Sequence, residues 1–438
     1  MNQDYQTLPI DPTSTATLAA RGLRFALVDD AAFADWSQAV SRGFLDGRTA
    51  DAVIESRRAN AAFRRASGIY DETAAEPAVP VATASAWPAD LTLPGRASIP
   101  AWAISTITVA PTHRRKGLAT QLLEAELRTA IAAGIPVAML TVSESTIYSR
   151  FGFSPAALSA DWTIDTAWVR WSGPEAPGRV HFVEAATIAE QGAALAERVR
   201  LDTPGQMTFE GFLWERLIGL GAGNEDSAKK LRFVRYDDEA GTPQGFAVYE
   251  VLDATTPADR AIVEVKYLVS ATDDAYAGLW RFLIELDLVG ELRAPLRSIE
   301  EPLAWQVHDY RAAVKSKERD HLWTRILDVP AALTARSYHA PGHLVFDVTD
   351  PQGFTTGRYL HTISSDGTSV VGTLDGDIPD DADAVGITIN DLSAILLGGV
   401  SAHTLARAGR IEELTPGAAS VVDLSYRSAV TPWLSIWF

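Results

Sequence analysis

The stretch Ile104-Ser-Thr-Ile-Thr-Val-Ala-Pro-Thr-His-Arg-Arg-Lys-Gly-Leu-Ala119 reads as the end of a strand, a turn and the start of a helix. A run rich in β-branched residues carries the strand to Val109, and Pro111, which has no N–H to give to a ladder, closes it. The chain turns through Arg114-Arg115-Lys116-Gly117 into an apolar-periodic helix from about Gly117 to Ala132. Successive backbone N–H groups at such a turn, backed by the positive end of the helix, form an anion cradle that a pyrophosphate can approach closely at Gly117. Arg114 and Arg115 add charge and forked donors. The stretch contains neither G-x-G-x-x-G nor G-x-x-x-x-G-K-[ST], so dinucleotide and nucleoside-triphosphate folds lose most of their support.

The elements around this stretch are of mixed type. Upstream lie a strand-like RFALV, Asp29 and Asp30 as an N-cap for a helix through Phe44, an Arg-rich helix TADAVIESRRANAAFRRA, and the strands VATASAW and AWAISTITV. Downstream come a strand PVAMLTV and a short helix ending in YSRFGF, and WSGPEAPGR (171–179) packs turn formers into a linker. From 180 a second cycle begins: strand RVHFVEA, helices around TIAEQGAALAERV and FEGFLWERLIGL, strands KLRFVRY, GFAVYEV and AIVEVKYLV, and a helix DDAYAGLWRFLIEL. Its order echoes the first segment, as a duplicated fold would. The last segment runs through strands HLVFDVTD, GRYLHTIS, TSVVGTL and AVGITI, helices NDLSAILLGG and SAHTLARAG, and the tail TPWLSIWF. The fold class expected is α/β with mixed sheets, divided at 1–170, 180–315 and 316–438.

Composition sets the outer limits. With 438 residues, 47% of them apolar, the chain exceeds one ordinary core and calls for two or three domains. The absence of cysteine removes disulfides, thiolate metal sites and a catalytic thiol. No secretory leader or run of about 18 apolar residues is present, so a soluble cytoplasmic protein is expected. A formal charge of −18 disfavours nucleic acid and anionic membrane as partners and would attract cationic small molecules or Lys-rich peptides, or simply keep the surface soluble. The eight His show no H-x-x-x-H or H-E-x-x-H spacing, so no metal is expected. Asp375–Asp383 superficially suggests calcium, but Pro379 stands at the third ligand position and Gly386 where the bidentate Glu belongs.

The spacing R-x-x-G-x-A over Arg114, Gly117 and Ala119 matches the acetyl-CoA signature of the GNAT superfamily. One strand later, Ser143-Glu-Ser-Thr-Ile-Tyr148-Ser-Arg-Phe-Gly152-Phe153 fits its Y-x-x-x-G-F element. Acyl transfer from a thioester needs a donor for the departing thiolate, and the phenol of Tyr148 can supply it. Ile107 and Val109 can pair through their backbone with the amide arm of pantetheine, as a peptide adds to a sheet edge. Leu118, Ala119 and Ser143 complete the cofactor-binding set, and His113 sits beside the phosphate turn.

VAPTHRRKGLATQLLEAELR with TVSESTIYSRFGFSPA closely resembles the enhanced intracellular survival (Eis) acetyltransferases. DHLWTRILDVPAALTARSY looks like the entry to their third domain, and GITINDLSAILLGG with Ala402-His403-Thr404-Leu405 is similar to a sterol carrier protein fold. The resemblance implies two GNAT-like domains followed by a sterol carrier-like one, a homohexamer, and multi-site acetylation of aminoglycoside amines by acetyl-CoA. It also implies Tyr148 as general acid, the terminal carboxylate of Phe438 as general base, and Phe44 and Asp46 as substrate contacts. Thr106 stands where relatives carry a substrate-lining aromatic, and Trp437 where they carry an acidic residue. The turn Ser270-Ala-Thr-Asp-Asp-Ala-Tyr276 of the second cycle has no glycine and two carboxylates, so no CoA is expected there. The alternatives are acetylation of protein lysines or polyamines, or a lipid or acyl carrier built on the last domain.

Overall fold

A computed structural model describes residues 5–142, 144–208, 214–215, 217–220, 228–252 and 260–438. The chain divides into two compact units, one of residues 1–157, 321–429 and 438, the other of 158–320 and 430–437.

The first unit opens with helix α1 (Pro12–Ala19), strand β1 (Leu23–Leu27), helices α2 (Phe33–Gly43) and α3 (Asp51–Ala61), and strands β2 (Arg65–Asp71), β3 (Ala82–Leu93) and β4 (Ala97–Val109). Helix α4 (Leu118–Ala132), strand β5 (Val137–Thr141), the single turn α5 (Ser145–Tyr148) and strand β6 (Ser154–Asp165) follow. β1 to β4 pair antiparallel in sequence order, whereas β4 and β5 are parallel. Parallel neighbours need a crossover, and α4 supplies it. Its Leu118, Leu122, Leu123 and Leu127 are at most 1% exposed, and each Leu so buried stabilises the domain by roughly 2 kcal/mol.

The expected Arg-rich helix over 49–66 is corrected here. It ends at Ala61, and Arg65 begins β2, with its guanidinium donating to Glu126 at 2.8 Å while both side chains are 1% exposed. The expected cap is also displaced: Asp29 accepts from the N–H of Ala32, one turn before α2 begins at Phe33.

The second unit contains strands β7 (Arg179–Phe182), β8 (Leu231–Asp237), β9 (Pro243–Leu252), β10 (Ala261–Ser270) and β11 (Val289–Arg297), with helices at Ala185–Arg200 and Asp273–Ile284. β7, β8, β9 and β10 pair antiparallel, β10 and β11 are parallel, and β11 also pairs with the far half of β6. The helix Asp273–Ile284 bridges the parallel pair as α4 does in the first unit. Trp280, Leu279, Tyr236 and Tyr249 fill its core. Half of the helix expected at FEGFLWERLIGL falls outside the described residues.

Strand β12 (Ala313–Ile326) returns the chain to the first unit, where its Leu322–Ile326 pairs antiparallel with β5. The last segment forms β13 (Gly342–Thr349), β14 (Gly357–Ile363), β15 (Ser369–Thr373), β16 (Asp383–Thr388) and β17 (Ile411–Glu413), in the spatial order β15-β14-β13-β16-β17. Short helices at Val329–Thr334, Ile389–Ile395, Ala402–Arg407 and Ala418–Tyr426 complete it. Its interior is packed by edge-to-face Tyr338, His361, Phe346 and Tyr426.

Candidate active site

β4 and β5 pair at Ala101–Val137, Trp102–Ala138 and Ala103–Met139, and then part. β4 continues to Val109 with its far side still on β3, through Thr108–Thr83 and Val109–Ala82. A register shift between Thr83 and Ser85 makes room for a bulge at Thr106, which has φ 51°. Threonine in that region costs about 1–2 kcal/mol. It is compensated by two hydrogen bonds: Thr83 Oγ1 donates to Thr106 O, and Thr106 Oγ1 donates to Ser85 Oγ, each at 2.9 Å. Ala110 donates its N–H to Val81 O across the β3 edge. Antiparallel pairing alternates direction residue by residue, so the backbone groups of Ile107 and Val109 face the other edge, where β5 no longer accompanies them.

After Pro111–His113 the chain passes Arg115 at φ 61° and Gly117 at φ 71° into α4. No side chain caps this helix, and its first turn carries no acid. Its leading N–H groups are therefore open to an external anion. Arg114, Arg115 and Lys116 are exposed around the turn, Leu118 is buried beneath it, and Ala119 is half-buried. A Cβ placed on Gly117 would meet no atom within 4 Å, so the space above that backbone is clear. Two side chains hold the turn from behind. Arg21 donates to Lys116 O, and His113 Nε2 lies 3.1 Å from the Asp71 carboxylate, with its Nδ1 on Thr112. Hydrogen bonds from Thr73 and His113 hold the Asp71 carboxyl down at about 2.

β5 ends at Thr141, and α5 places Tyr148 at the close of its one turn. The Tyr148 ring is 8% exposed and meets Phe153 edge-on at 6.4 Å. Burial, with Glu144 nearby, raises its pKa and keeps the hydroxyl protonated. Among the described residues that hydroxyl has no hydrogen-bond partner. A core tyrosine normally finds one. Ser143 lies outside the described residues.

Phe438 belongs to this unit. Thr141 Oγ1 donates to its terminal oxygen at 3.0 Å, and its ring packs edge-to-face on Trp87 at 5.6 Å. The preceding residues, 430–437, belong to the second unit. There Trp433 Nε1 donates to Leu296 O at the end of β11, Arg297 lies 4.7 Å over the Trp433 ring, and Ser435 bonds to Tyr267 of β10. Gln206 donates to Trp433 O and accepts from Ser435 Oγ. β10 and β11 pair only as far as Glu264–Arg293, so the tail lies where these strands part, as β4 and β5 do in the first unit.

Phe44 is the C-cap of α2, 50% exposed, and Asp46 is exposed in the following loop, its N–H donating to Ser41 O. A Cβ on Gly43 would come within 2.3 Å of Thr108, so α2 ends directly against β4 beside Ile107 and Val109. The turn before α4, the parted strand edge, Tyr148 and the Phe438 carboxylate thus gather at the carboxyl ends of parallel β4 and β5. The loop of Phe44 and Asp46 abuts the same end of β4. Sequence reading missed the tail's anchors Gln206 and Leu296 and the Thr141 contact, because tertiary packing alone brings them to it.

Comparison with known proteins supports the same architecture. Profiles for the acetyltransferase (GNAT) domain match residues 24–156 and 210–353, and one for the sterol carrier protein domain matches 329–435. An uncharacterized N-acetyltransferase of Streptomyces avermitilis is 35% identical over 93% of this chain and 96% of its own. The N-acetyltransferase Eis of Mycobacterium tuberculosis is 33% identical over 78% of this chain and 81% of its own. The crystal structure of Eis1 from Mycobacterium abscessus superposes with a TM-score of 0.80 at 28% identity, covering 95% of this chain and all of that one. GNAT acetyltransferases use acetyl-CoA, and an uncapped helix beside a parted strand pair suits its pyrophosphate and pantetheine arm. The chain is an N-acetyltransferase enzyme of the Eis family, with two GNAT domains followed by a sterol carrier-like domain.

Proposed function

We propose that this enzyme transfers the acetyl group of acetyl-CoA to amines of aminoglycosides or similar polycationic molecules, at more than one position, using a site in the segment 1–170. The observation that carries this reading is a buried tyrosine whose protonated hydroxyl has no partner among the described residues, next to an uncapped helix N-terminus and a strand edge that no described strand covers. Arg114, Arg115, Gly117, Leu118 and Ala119 would hold the pyrophosphate, and Ile107 and Val109 the amide arm, with Ser143 near them. Attack by a neutral amine on the thioester carbonyl forms the C–N bond and breaks the C–S bond. Tyr148 hydrogen-bonds to the leaving thiolate and passes it a proton. The terminal carboxylate of Phe438 positions the ammonium and takes its proton. Asp46 and the Phe44 ring would hold further ammonium groups of a polycation.

The segment 180–315 serves in this reading as a non-binding copy. The Thr272 side chain caps its helix Asp273–Ile284 and two carboxylates occupy its first turn, opposite in kind to the open start of α4. The segment 316–438 contributes the terminus, and a cytoplasmic homohexamer is the assembly the family resemblance favours. The test is incubation with radiolabelled acetyl-CoA and a panel of aminoglycosides, polyamines and Lys-containing peptides. Label should enter the aminoglycosides, with several acetyl groups per molecule at long times. Label in peptides alone would make the enzyme a protein-lysine acetyltransferase instead.

A further inference from the structure

Tyr148 closes a helix of one turn, and a single turn cannot hold its own geometry. A 3-10 turn, Ser149–Phe151, follows it directly, with the Gly152 N–H donating to Ser149 O at 3.3 Å. The carbonyls of residues 149–153 also accept from two side chains of the same unit, Asn390 of the sterol carrier-like part and Arg325 of β12. Asn390 Nδ2 donates to Ser149 O and to Phe153 O, both at 2.8 Å. Only the amide nitrogen can donate to two carbonyls, so the partners fix the orientation of this side chain. Between them, Arg325 Nε donates to Phe151 O at 2.9 Å. Arg325 is fully buried and fixed by Asp350 at 2.6 Å. The Asp350 carboxyl also accepts from the N–H groups of Gln352 and Thr355. Gly152, at φ 84°, lets this guanidinium approach: a Cβ there would sit 2.3 Å from Arg325 Nε.

We infer that Asn390, supported by Arg325, is a positioning residue for Tyr148: the sterol carrier-like domain acts in the acetyl transfer by gripping the turn that carries the tyrosine hydroxyl. This rests on the reading of Tyr148 as proton donor. The element containing Asn390 also has an anchor of its own. Thr388 caps the helix Ile389–Ile395, and Thr324 and Ile326 of β12 donate to Ser393. A side chain on so fixed a base transmits position to the turn it grips.

Asn390 is half-buried at the surface, so its replacement is compatible with folding, whereas Arg325 is a core residue. The experiment compares Asn390→Ala, Asn390→Asp, Tyr148→Phe and the double variant Asn390→Ala/Tyr148→Phe in full-length protein. It reads thiol release from acetyl-CoA with neomycin and with spermine, the KM for acetyl-CoA and the melting temperature. Loss of the clamp displaces the hydroxyl, so kcat should fall roughly 10- to 100-fold in Asn390→Ala and at least as far in Asn390→Asp, with the KM for acetyl-CoA held. Tyr148→Phe alone should lose roughly 10²- to 10⁴-fold in kcat. Adding Asn390→Ala to it should then cost little more, since a residue acting through the hydroxyl has nothing left to position. A full additional loss in the double variant, or normal kcat in both Asn390 variants while Tyr148→Phe is slow, overturns the positioning role alone. Normal turnover by Tyr148→Phe overturns it together with the tyrosine's role.

Discussion

Arg65 shows how a residue is misread from its neighbours. In SRRANAAFRRA it looks like one more solvated cation on a helix, yet it lies in a strand, and Glu126 of α4 takes its charge while also accepting from the Trp102 indole. Breaking such a pair leaves an uncompensated buried charge, at a cost of about 3–5 kcal/mol. Its partner is 61 residues away, beyond the reach of any periodicity. Gly117 and Tyr148, by contrast, were legible because their surroundings are local motifs. His361 is another residue whose setting only packing creates. Its Nδ1 meets Tyr426 Oη at 2.9 Å, its Nε2 is buried without a partner, and burial, followed by the charge of Arg336, lowers its pKa to about 3. The unfolded chain, with its imidazole near 6.5, therefore binds the extra proton first. Stability from this group is present above about pH 6.5 and is lost as pH falls toward 3, by about 2 kcal/mol between pH 7 and pH 5. Urea unfolding at the two pH values should show that loss, and His361→Gln should remove it. An equal loss in the variant would mean that His361 titrates as it does in an unfolded chain.

At the scale of elements, the sequence marked β4, α4 and the turn of Tyr148 but not the geometry between them. The parting of β4 from β5 depends on where pairing stops, and the bulge at Thr106 on its registration with β3. The extended hairpin of β3 and β4 read as two shorter strands because Pro88 and the Pro94–Gly95 turn interrupt the alternation. β17 and the helix Ala418–Tyr426 were missed altogether, the first for its brevity and the second because Gly417 and a run of small residues hide its period. The apolar tail was expected to be docked, and residues 431–435 are held by at least four side-chain hydrogen bonds, to Glu300, Leu296 and Gln206. Phe438 then ends on Thr141 and Trp87. If its carboxylate accepts the amine proton, appending Gly-Ser-Gly after Phe438 should lower kcat roughly 10²-fold or more, with acetyl-CoA affinity and melting temperature unchanged. Normal turnover by the extended protein would exclude the terminal base and turn attention to Asp46.

Across the whole molecule, the same scaffold occurs twice with opposite equipment. In the first, α4 starts on an uncapped Gly117 amid three exposed cations, and no described strand covers the strand edge beside it. In the second, the corresponding helix is capped by Thr272 and fronted by Asp273 and Asp274, and the chain's own tail lies where the strands part. Duplication was legible from the order of elements, and the loss of the glycine from one turn. That the tail lies at the parted strands was not, because its anchors are spread from Pro204 to Glu300. No described helix is long and apolar enough to cross a membrane. With this equipment only the first of these domains should take acetyl-CoA. Calorimetric titration of the full-length protein with acetyl-CoA should therefore give one site per chain. Gly117→Val, which forces a β-branched residue into φ 71° and puts bulk into the clear space above the turn, should weaken that site roughly tenfold or more. Two sites per chain, or one whose affinity Gly117→Val leaves unchanged, would contradict it.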